Sequence, residues 1–300
     1  MRLDSGDTFV TDGGMETTLI FRQGLELPHF AAFPLLDDDR GVEALRAYFE
    51  PYLAIARENG VGIVLDTPTW RANPDWGARL GYSALALEDV NRRGVALVAE
   101  LGDDVVVSGC VGPRGDAYRP GERMSAAEAD AYHRPQVETF AETEADLVSA
   151  LTLAYAEEGI GIARAARAAG IPSSISFTVE VDGRLPSGQS LRDAVEQVDR
   201  ETDFAPRFFM VNCAHTTHIG RALQDAGPWL ERIQGVRANA SARSHAELDE
   251  AEDLDDGDPA ALAVEVTELR TRLPNLTVVG GCCGTDERHI AALCAAWLGT

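Results

Sequence analysis

The stretch GVEALRAYFEPYLAIARENGVGIVLDT, residues 41–67, contains a helix pattern followed directly by a strand pattern. Its first part has apolar side chains at helical spacing, at Val42, Leu45, Phe49, Leu53 and Ala56. Such a stripe is typical of a helix that buries one face. The β-branched run over residues 61–67 has the length and composition of a buried strand. The stretch therefore predicts a helix that leads into a strand of a parallel sheet.

The same alternation runs along the whole chain. Strands are predicted at residues 8–14, 61–67, 105–112, 146–153, 173–179, 207–213, 235–241 and 276–283. Helical stretches separate them, among them residues 157–170 and a last helix from Asp286 through Trp297. Eight such units in 300 residues predict an α/β protein, a single (β/α)8 TIM barrel over residues 1–300. The functional site is expected at the C-terminal face of its strands.

Two segments are predicted to be irregular. Residues 15–40 lack a continuous helical pattern and are expected to form a βα loop over the C-terminal face. The acidic residues 247–259 are expected to form a solvated loop after the seventh strand, without a specific role.

The composition excludes several classes of function. A net charge of −23 repels phosphate backbones, so no nucleic-acid partner is expected. All 26 basic residues are arginine, which excludes pyridoxal enzymes, Schiff-base aldolases and P-loop NTPases because each needs a lysine. Five cysteines, an odd number, favour a reducing compartment over a disulfide framework. With no long apolar run and no leader pattern, we expect a cytoplasmic protein without a membrane partner.

Three of the cysteines fall at predicted strand ends. Cys213 closes the sixth strand, and Cys282 and Cys283 close the eighth. The ends of barrel strands lie on one face, so these thiols are expected to meet there. Three thiolates without a fourth protein ligand suit the open site of a catalytic zinc. The alternative is that they fill the core, which is the interpretation for Cys110 and Cys294.

Other chemistry remains open at this point. The segment NCAHTTH offers Cys213, His215 and His218 as a rival metal set. A set of Asp66, His215 and His218 would make the chain a metal-dependent barrel hydrolase. A non-catalytic alternative makes the zinc structural or the cysteine pair a redox sensor.

Five motifs give the chain a resemblance to a known family. They are TDGGMETTL at 11–19, VSGCVGPRGD at 107–116, ISFTVEVDGRLPSGQSL at 175–191, VNCAH at 211–215 and GGCCGT at 280–285. In this order they resemble the homocysteine S-methyltransferase family of zinc-dependent (β/α)8 barrels. The resemblance spans essentially the whole chain, and it implies that Cys213, Cys282 and Cys283 hold Zn²⁺.

The resemblance also implies a reaction. A methyl group would pass from an onium-type donor, such as S-methylmethionine, S-adenosylmethionine or a betaine-like molecule, to the zinc-bound thiolate of homocysteine, giving methionine. The partners are thus a small-molecule thiol and a methyl donor. No catalytic group is implied beyond that thiolate, and a homo-oligomer is left open.

Substrate contacts follow partly from the same motifs. The resemblance implies that Asp12, Gly13, Gly14 and Asn212 bind substrate. It also reveals a departure, because Leu151 stands where the family has a strand-four glutamate that holds the amino group, although a later glutamate is kept as Glu158. Either Glu16, which replaces a family glycine, takes over that role with Asp12, or the acceptor is a different small thiol.

The second strand is followed by further candidates. Arg71 is predicted to clamp a carboxylate, because its planar guanidinium matches that geometry. Trp70 and Trp76 are predicted to stack on an onium methyl group. The alternative is that Trp70 packs the loop and Arg71 pairs with a nearby acid.

Overall fold

The computed structural model describes residues 7–251 and 253–299. In these residues eight parallel strands close into a barrel in chain order, with the last strand pairing with the first. The strands are β1 (Phe9–Thr11), β2 (Gly62–Asp66), β3 (Val105–Val111), β4 (Leu147–Leu153), β5 (Ser173–Phe177), β6 (Phe208–Ala214), β7 (Ile233–Ala238) and β8 (Val278–Gly281). The predicted (β/α)8 barrel is confirmed, and every predicted strand overlaps an observed one.

Helices alternate with the strands and cover the outside of the barrel. They are α1 (Met15–Phe21), α2 (Asp39–Asn59), α3 (Pro74–Arg79), α4 (Ala84–Ala99), α5 (Ala126–Ala141), α6 (Ala156–Ala169), α7 (Leu191–Thr202), α8 (Thr216–Ala222), α9 (His245–Asp249), α10 (Pro259–Glu268) and α11 (Glu287–Leu298). The stripe predicted on residues 41–60 is the buried face of α2. This helix begins where the Asp38 carboxylate accepts from the Gly41 N–H, and it ends at Gly60 in the left-handed conformation.

The strands carry two different faces. On β3 the outward side chains Val105 and Val107 join the core beneath the helices, whereas Val106 and Cys110 join a smaller cluster inside the barrel. Alternation of side chains along a strand produces this separation. At the carboxyl ends, the inward positions are therefore the ones that reach the C-terminal face.

Long segments cover that face, as predicted. After α1, residues up to 38 form two short 3-10 turns, Pro28–Phe30 and Phe33–Asp37, and not one continuous helix. Phe21 and Phe30 from this segment border a cavity at the barrel mouth.

The described residues of 247–259 form a largely exposed loop after β7, as predicted, and this loop also borders the cavity. The described part contains the end of α9, and its side chains Leu248, Leu254 and Asp255 line the same cavity. Leu248 and Leu254 face the cavity, which the acidic composition of the segment did not indicate. Residue 252 lies outside the described residues.

The acidic segment is fastened to the start of α11. Asp286 caps that helix. Its carboxylate lies 2.5 Å from Nη2 of Arg22 and 2.8 Å from Nη2 of Arg288. His289 bonds the Asp286 carboxylate through Nδ1 at 3.0 Å and the carbonyl of Asp256 through Nε2 at 2.8 Å.

Within the described chain, none of the helices combines the length and apolarity that a bilayer crossing needs.

Candidate metal and substrate site

The three cysteines at the ends of β6 and β8 come together. Their Sγ atoms lie within 4.8 Å of one another, and those of Cys213 and Cys283 are 3.4 Å apart. Tetrahedral zinc with Zn–S bonds of about 2.3 Å separates its sulfur ligands by roughly 3.8 Å. The cluster therefore has the spacing and the donor atoms that a zinc ion requires.

Cys213 reaches this cluster through an unusual backbone conformation. It follows the inward residue Asn212, so simple alternation would turn its side chain out of the barrel. A φ of 55° at Cys213, together with a shift in the β6–β7 register between Asn212 and Ala214, redirects it. The Cys213 carbonyl accepts from Thr178 Oγ1 at 3.1 Å and lies 2.7 Å from His245 Nε2.

Cys282 and Cys283 lie on a tight turn after β8. The turn passes through Gly284 at a φ of 82°, and Thr285 donates to the Cys282 carbonyl from its N–H and its Oγ1. A Cβ on Gly14 would lie 2.6 Å from that carbonyl oxygen. A Cβ on Gly13 would lie 2.7 Å from the Thr285 carbonyl oxygen. Both glycines line the cavity, and these close approaches give them a packing role that the prediction of substrate contact did not include.

The crowded thiols share protons unequally. Hydrogen bonds from Cys213 and Cys283, with Arg237 nearby, hold the pKa of Cys282 well below its usual range. The thiol of Cys283 has a raised pKa because it donates to its neighbours and is buried. The surroundings therefore favour ionisation of Cys282 over ionisation of Cys283.

Asn212 was predicted to bind substrate, but its amide is already bonded within the protein. Its Oδ1 accepts from the Thr152 N–H at 2.8 Å and from Ser176 Oγ at 2.6 Å. Its Nδ2 donates to Thr152 Oγ1 at 2.8 Å and approaches Cys282 Sγ at 3.8 Å. The side chain lines the cavity, and these bonds make it an anchor for Cys282.

A buried ion cluster that the sequence analysis missed holds Asp12. Arg237, on β7, donates from Nη2 to Asp12 at 2.6 Å and from Nη1 to Asp66. Tyr48 donates to the other Asp12 oxygen at 2.9 Å. Burial raises the pKa of Asp12 to about 6, against the opposing effect of Arg237. The signal in the sequence was an arginine at an inward position of a predicted strand.

Glu16, in the first turn of α1, lines the cavity and is partly buried. Its own backbone N–H lowers the pKa of this carboxylate, which takes no hydrogen bond from another described residue. Burial is the main reason that the pKa of Glu16 is raised to about 7. The nearby Cys282 and Asp12 also raise this pKa, and their effect is larger than the lowering caused by Arg71. Of the two acids predicted to bind an amino group, Glu16 is the one with free acceptor capacity.

Arg71 lies between the two tryptophans. Its guanidinium carbon is 4.5 Å from the Trp70 ring centroid and 3.7 Å from that of Trp76. Burial lowers the pKa of Arg71 to about 10, and its buried Nε has no partner among the described residues. Arg71 and Trp70 line the cavity. The Trp76 ring also has the Arg79 guanidinium carbon 4.3 Å from its centroid, and Trp76 lies outside the cavity lining as described, so its stacking on a methyl donor stays a prediction.

Two further aromatic residues reach the cluster without having been predicted. The Tyr118 hydroxyl lies 2.8 Å from Cys213 Sγ, and the Tyr118 ring stacks on His245 with centroids 3.7 Å apart. Both side chains line the cavity. Tyr118 lies on the loop that continues the third-strand motif, which was the available signal.

The cavity that contains the cluster measures about 410 Å³, a size that suits a small metabolite. Its polar floor holds the cysteines, Glu16 and the buried ion cluster. Its rim carries the acids Asp116, Asp249, Asp253 and Asp255, next to an apolar wall that includes Phe21, Phe30 and Leu254.

The family model described as homocysteine S-methyltransferase matches residues 9–297. The chain belongs to the homocysteine S-methyltransferase family. The reaction of this family is methyl transfer to homocysteine, and the chain is accordingly a methyltransferase.

Solved structures show the same fold as this methyltransferase. The homocysteine methyltransferase MmuM from Escherichia coli, in its metallated form, is 24% identical with a TM-score of 0.75, and the match covers 98% of each chain. The oxidized form of MmuM is 22% identical with a TM-score of 0.75, covering 98% of this chain and 97% of the other. A search of curated protein sequences gives no significant match.

The rival metal sets are not assembled in the methyltransferase. Among residues 7–251 and 253–299, Cys213, Cys282 and Cys283 form the one group of three candidate ligands close enough to hold an ion. Asp66 is bonded to Arg237, and His215 caps α8 by accepting from the Thr217 N–H. The hydrolase alternative is therefore wrong.

Leu151 stands where the resemblance implies a glutamate that holds an amino group. Leu151 is buried in the cavity wall, where its carbonyl accepts from Trp70 Nε1 at 3.2 Å. Glu158, the later glutamate, instead accepts from the Arg114 N–H at 2.8 Å and bonds His133 at 2.9 Å. It lies outside the lining of the cysteine cavity as described.

Proposed function

We propose that the chain is a zinc-dependent S-methyltransferase that moves a methyl group from an onium-type donor to homocysteine, giving methionine. The observation that carries the proposal is the cluster of Cys213, Cys282 and Cys283 at the bottom of an open cavity. The metallated form of the similar MmuM barrel supports it. We further propose that residues 1–300 act as one domain.

The three cysteines would hold the zinc and leave one coordination position for a ligand from the cavity. When bound, zinc supplies the Lewis acidity that removes the proton of the acceptor thiol at neutral pH. A free thiol has a pKa of about 8.5 and would otherwise remain mostly protonated.

The amino and carboxylate groups of homocysteine would be held by Glu16 and Arg71. The Glu16 carboxylate is free to accept from an ammonium group, whereas both oxygens of Asp12 are bonded to Arg237 and Tyr48. Arg71 is buried beside the cavity and retains an unbonded N–H. Asp12 would act indirectly by fixing Arg237, and Asn212 by fixing Cys282.

The donor would enter past the acidic rim. Its positive charge is attracted by Asp116, Asp249, Asp253 and Asp255, and its methyl groups can contact the Trp70 ring. In the reaction the acceptor sulfur forms a bond to the methyl carbon while the bond from that carbon to the onium atom breaks. The bonding electron pair returns to the donor, which leaves as a neutral group and needs no proton.

The second candidate keeps the reaction and changes the acceptor to another small thiol. Leu151 favours it, because an apolar side chain occupies part of the wall that would face an amino group. A thiol without a charged amino group would then bind as well as homocysteine.

The test is zinc-edge X-ray absorption of the reduced, zinc-loaded protein with and without homocysteine. We expect three sulfur neighbours that rise to four when homocysteine is added. A count of sulfur neighbours that stays at three with homocysteine but rises to four with 4-mercaptobutyrate would favour the second candidate.

A pair of serine variants controls the experiment. Cys282→Ser should lose stoichiometric zinc and methyl transfer, whereas Cys294→Ser, which changes a buried thiol on α11, should retain both. Zinc-independent methyl transfer by Cys282→Ser would refute the proposal.

A further inference from the structure

Tyr118 is the side chain that approaches Cys213 from the cavity side. Its hydroxyl oxygen lies 2.8 Å from Cys213 Sγ. A cysteine that ligates a metal is a thiolate and has no proton to give. The hydrogen bond must then run from the phenol O–H to the sulfur.

The Tyr118 ring is held by His245, which contacts the same cysteine at its backbone. The two rings stack at an interplanar angle of 20° with centroids 3.7 Å apart. His245 Nε2 lies 2.7 Å from the Cys213 carbonyl oxygen. His245 therefore links the position of Tyr118 to the position of the ligand that Tyr118 contacts.

Glu180 fixes the orientation of this imidazole. Its Oε1 lies 3.2 Å from His245 Nδ1, at the opposite end of the ring from the Cys213 carbonyl. Both neighbours are acceptors, so both ring nitrogens are placed to donate. Three segments of the chain, the loop after β3, the segment after β5 and the start of α9, thus converge on Cys213.

This support matters because Cys213 is conformationally strained. A non-glycine residue at a φ of 55° is held there only when its surroundings determine its conformation. Thr178 and His245 hold the carbonyl of Cys213, and Tyr118 holds its sulfur. Cys282 has a different neighbour, Asn212.

We propose that Tyr118, oriented by His245 and Glu180, is a positioning residue of the metal site whose hydroxyl donates a hydrogen bond to the Cys213 thiolate. The inference rests on the proposed function, in which Cys213 is a zinc ligand. The bond draws charge from one of three crowded thiolates and fixes the direction of its sulfur. Partners of this kind typically change metal affinity by about 10–100-fold.

The test is the zinc affinity of Tyr118→Phe, measured by competition with a chromophoric chelator. This substitution keeps the ring that stacks on His245 and removes only the hydroxyl. We expect the zinc Kd to rise by about tenfold or more. Tyr132→Phe is the matched control, since that hydroxyl bonds Asn73 and lies outside the lining of the cavity as described. Its zinc Kd should equal that of the unmodified protein.

A spectroscopic measurement separates this role from general loosening of the fold. With Co²⁺ in place of zinc, the sulfur-to-cobalt charge-transfer bands should move to lower energy in Tyr118→Phe, because an unbonded thiolate holds its electrons less tightly. Tyr132→Phe should leave the bands unchanged. Bands and zinc Kd in Tyr118→Phe that match the unmodified protein would overturn the inference, whereas failure of the unmodified protein to bind either metal would overturn the proposed function instead.

Discussion

At the scale of single residues, the site distinguishes two carboxylates that look equivalent in the sequence. Asp12 and Glu16 are four positions apart, and both line the cavity. The oxygens of Asp12 are bonded to Arg237 and Tyr48, whereas Glu16 has no bond from another described side chain. Recognition of a cationic group in the acceptor should therefore depend directly on Glu16.

We expect Glu16→Gln to raise the Kd for homocysteine about tenfold, because an ammonium group loses a charged partner. The affinity of the unmodified enzyme should weaken as the pH falls below about 7, since burial raises the pKa of Glu16 to that value and the protonated acid cannot pair with the ammonium. Isothermal titration of zinc-loaded protein between pH 6 and pH 8 measures both effects.

The same titration with 4-mercaptobutyrate, which lacks the amino group, provides the control. Its Kd should be the same for the Glu16→Gln variant and the unmodified enzyme. An equal loss for both thiols would show that Glu16 supports the cavity without contacting the amino group.

At the scale of elements, the start of α11 fixes the segment that borders the cavity. Burial alone would raise the pKa of Asp286, but bonds from Arg288 and His289, with Arg22 nearby, hold it at about 2. His289 extends the network to the carbonyl of Asp256. One carboxylate thus joins a helix cap, the end of α1 and the acidic segment.

The substitution Asp286→Asn retains a capping side chain and removes the charge. A carboxyl with a pKa near 2 in the folded chain and near 3.9 in the unfolded chain stabilises the fold by about 1–2 kcal/mol after solvent screening. This contribution is present above about pH 4 and is lost as the pH falls through the folded pKa. The free energy of unfolding in urea should differ by that amount at pH 7, and the difference should shrink toward pH 3.

Asp258→Asn provides the comparison, because Asp258 caps α10 through bonds to the Ala260 and Ala261 N–H groups. Its effect on unfolding should change less with pH. A constant difference for Asp286→Asn across the same range would argue against the ion network as the source of stability.

At the scale of the whole molecule, a metal at the cysteine cluster would connect distant parts of the barrel. Cys213 lies a little beyond two thirds of the way along the chain, and Cys282 and Cys283 lie near its end. An ion bound to all three joins β6 to the turn after β8, and it binds the folded state far better than the unfolded one.

Zinc should therefore raise the thermal midpoint of unfolding. A free zinc concentration of 100 times the Kd adds about 2.7 kcal/mol, which corresponds to roughly 5 °C for a chain of this size. Differential scanning calorimetry with zinc and with a chelator measures the shift. It should vanish in Cys282→Ser and persist in Cys294→Ser, and an equal shift in both would place the stabilising zinc elsewhere.

Much of this protein could be predicted from its sequence alone. The number and order of strands follow from local periodicity, because helix and strand patterns depend on residues that are neighbours in the chain. The gathering of Cys213 with Cys282 and Cys283 on one face follows from the same count, since all parallel strand ends of a barrel point the same way. The family motifs agree with this arrangement.

The tertiary structure decided which of these side chains are free to act. Arg237 donates a hydrogen bond to Asp12, and the Asn212 side-chain oxygen accepts from Thr152 and Ser176. The Trp76 ring contacts the guanidinium groups of Arg71 and Arg79. The contacts of Asp12 and Asn212 join residues from different strands, so they depend on sheet register and not on sequence spacing, whereas Trp76 meets arginines that are close to it in the chain. The positive φ at Cys213 likewise leaves no local signal, because the contacts that hold it come from Thr178 and His245. Local sequence determined where the barrel strands end, and long-range packing determined what each side chain at those ends can bind.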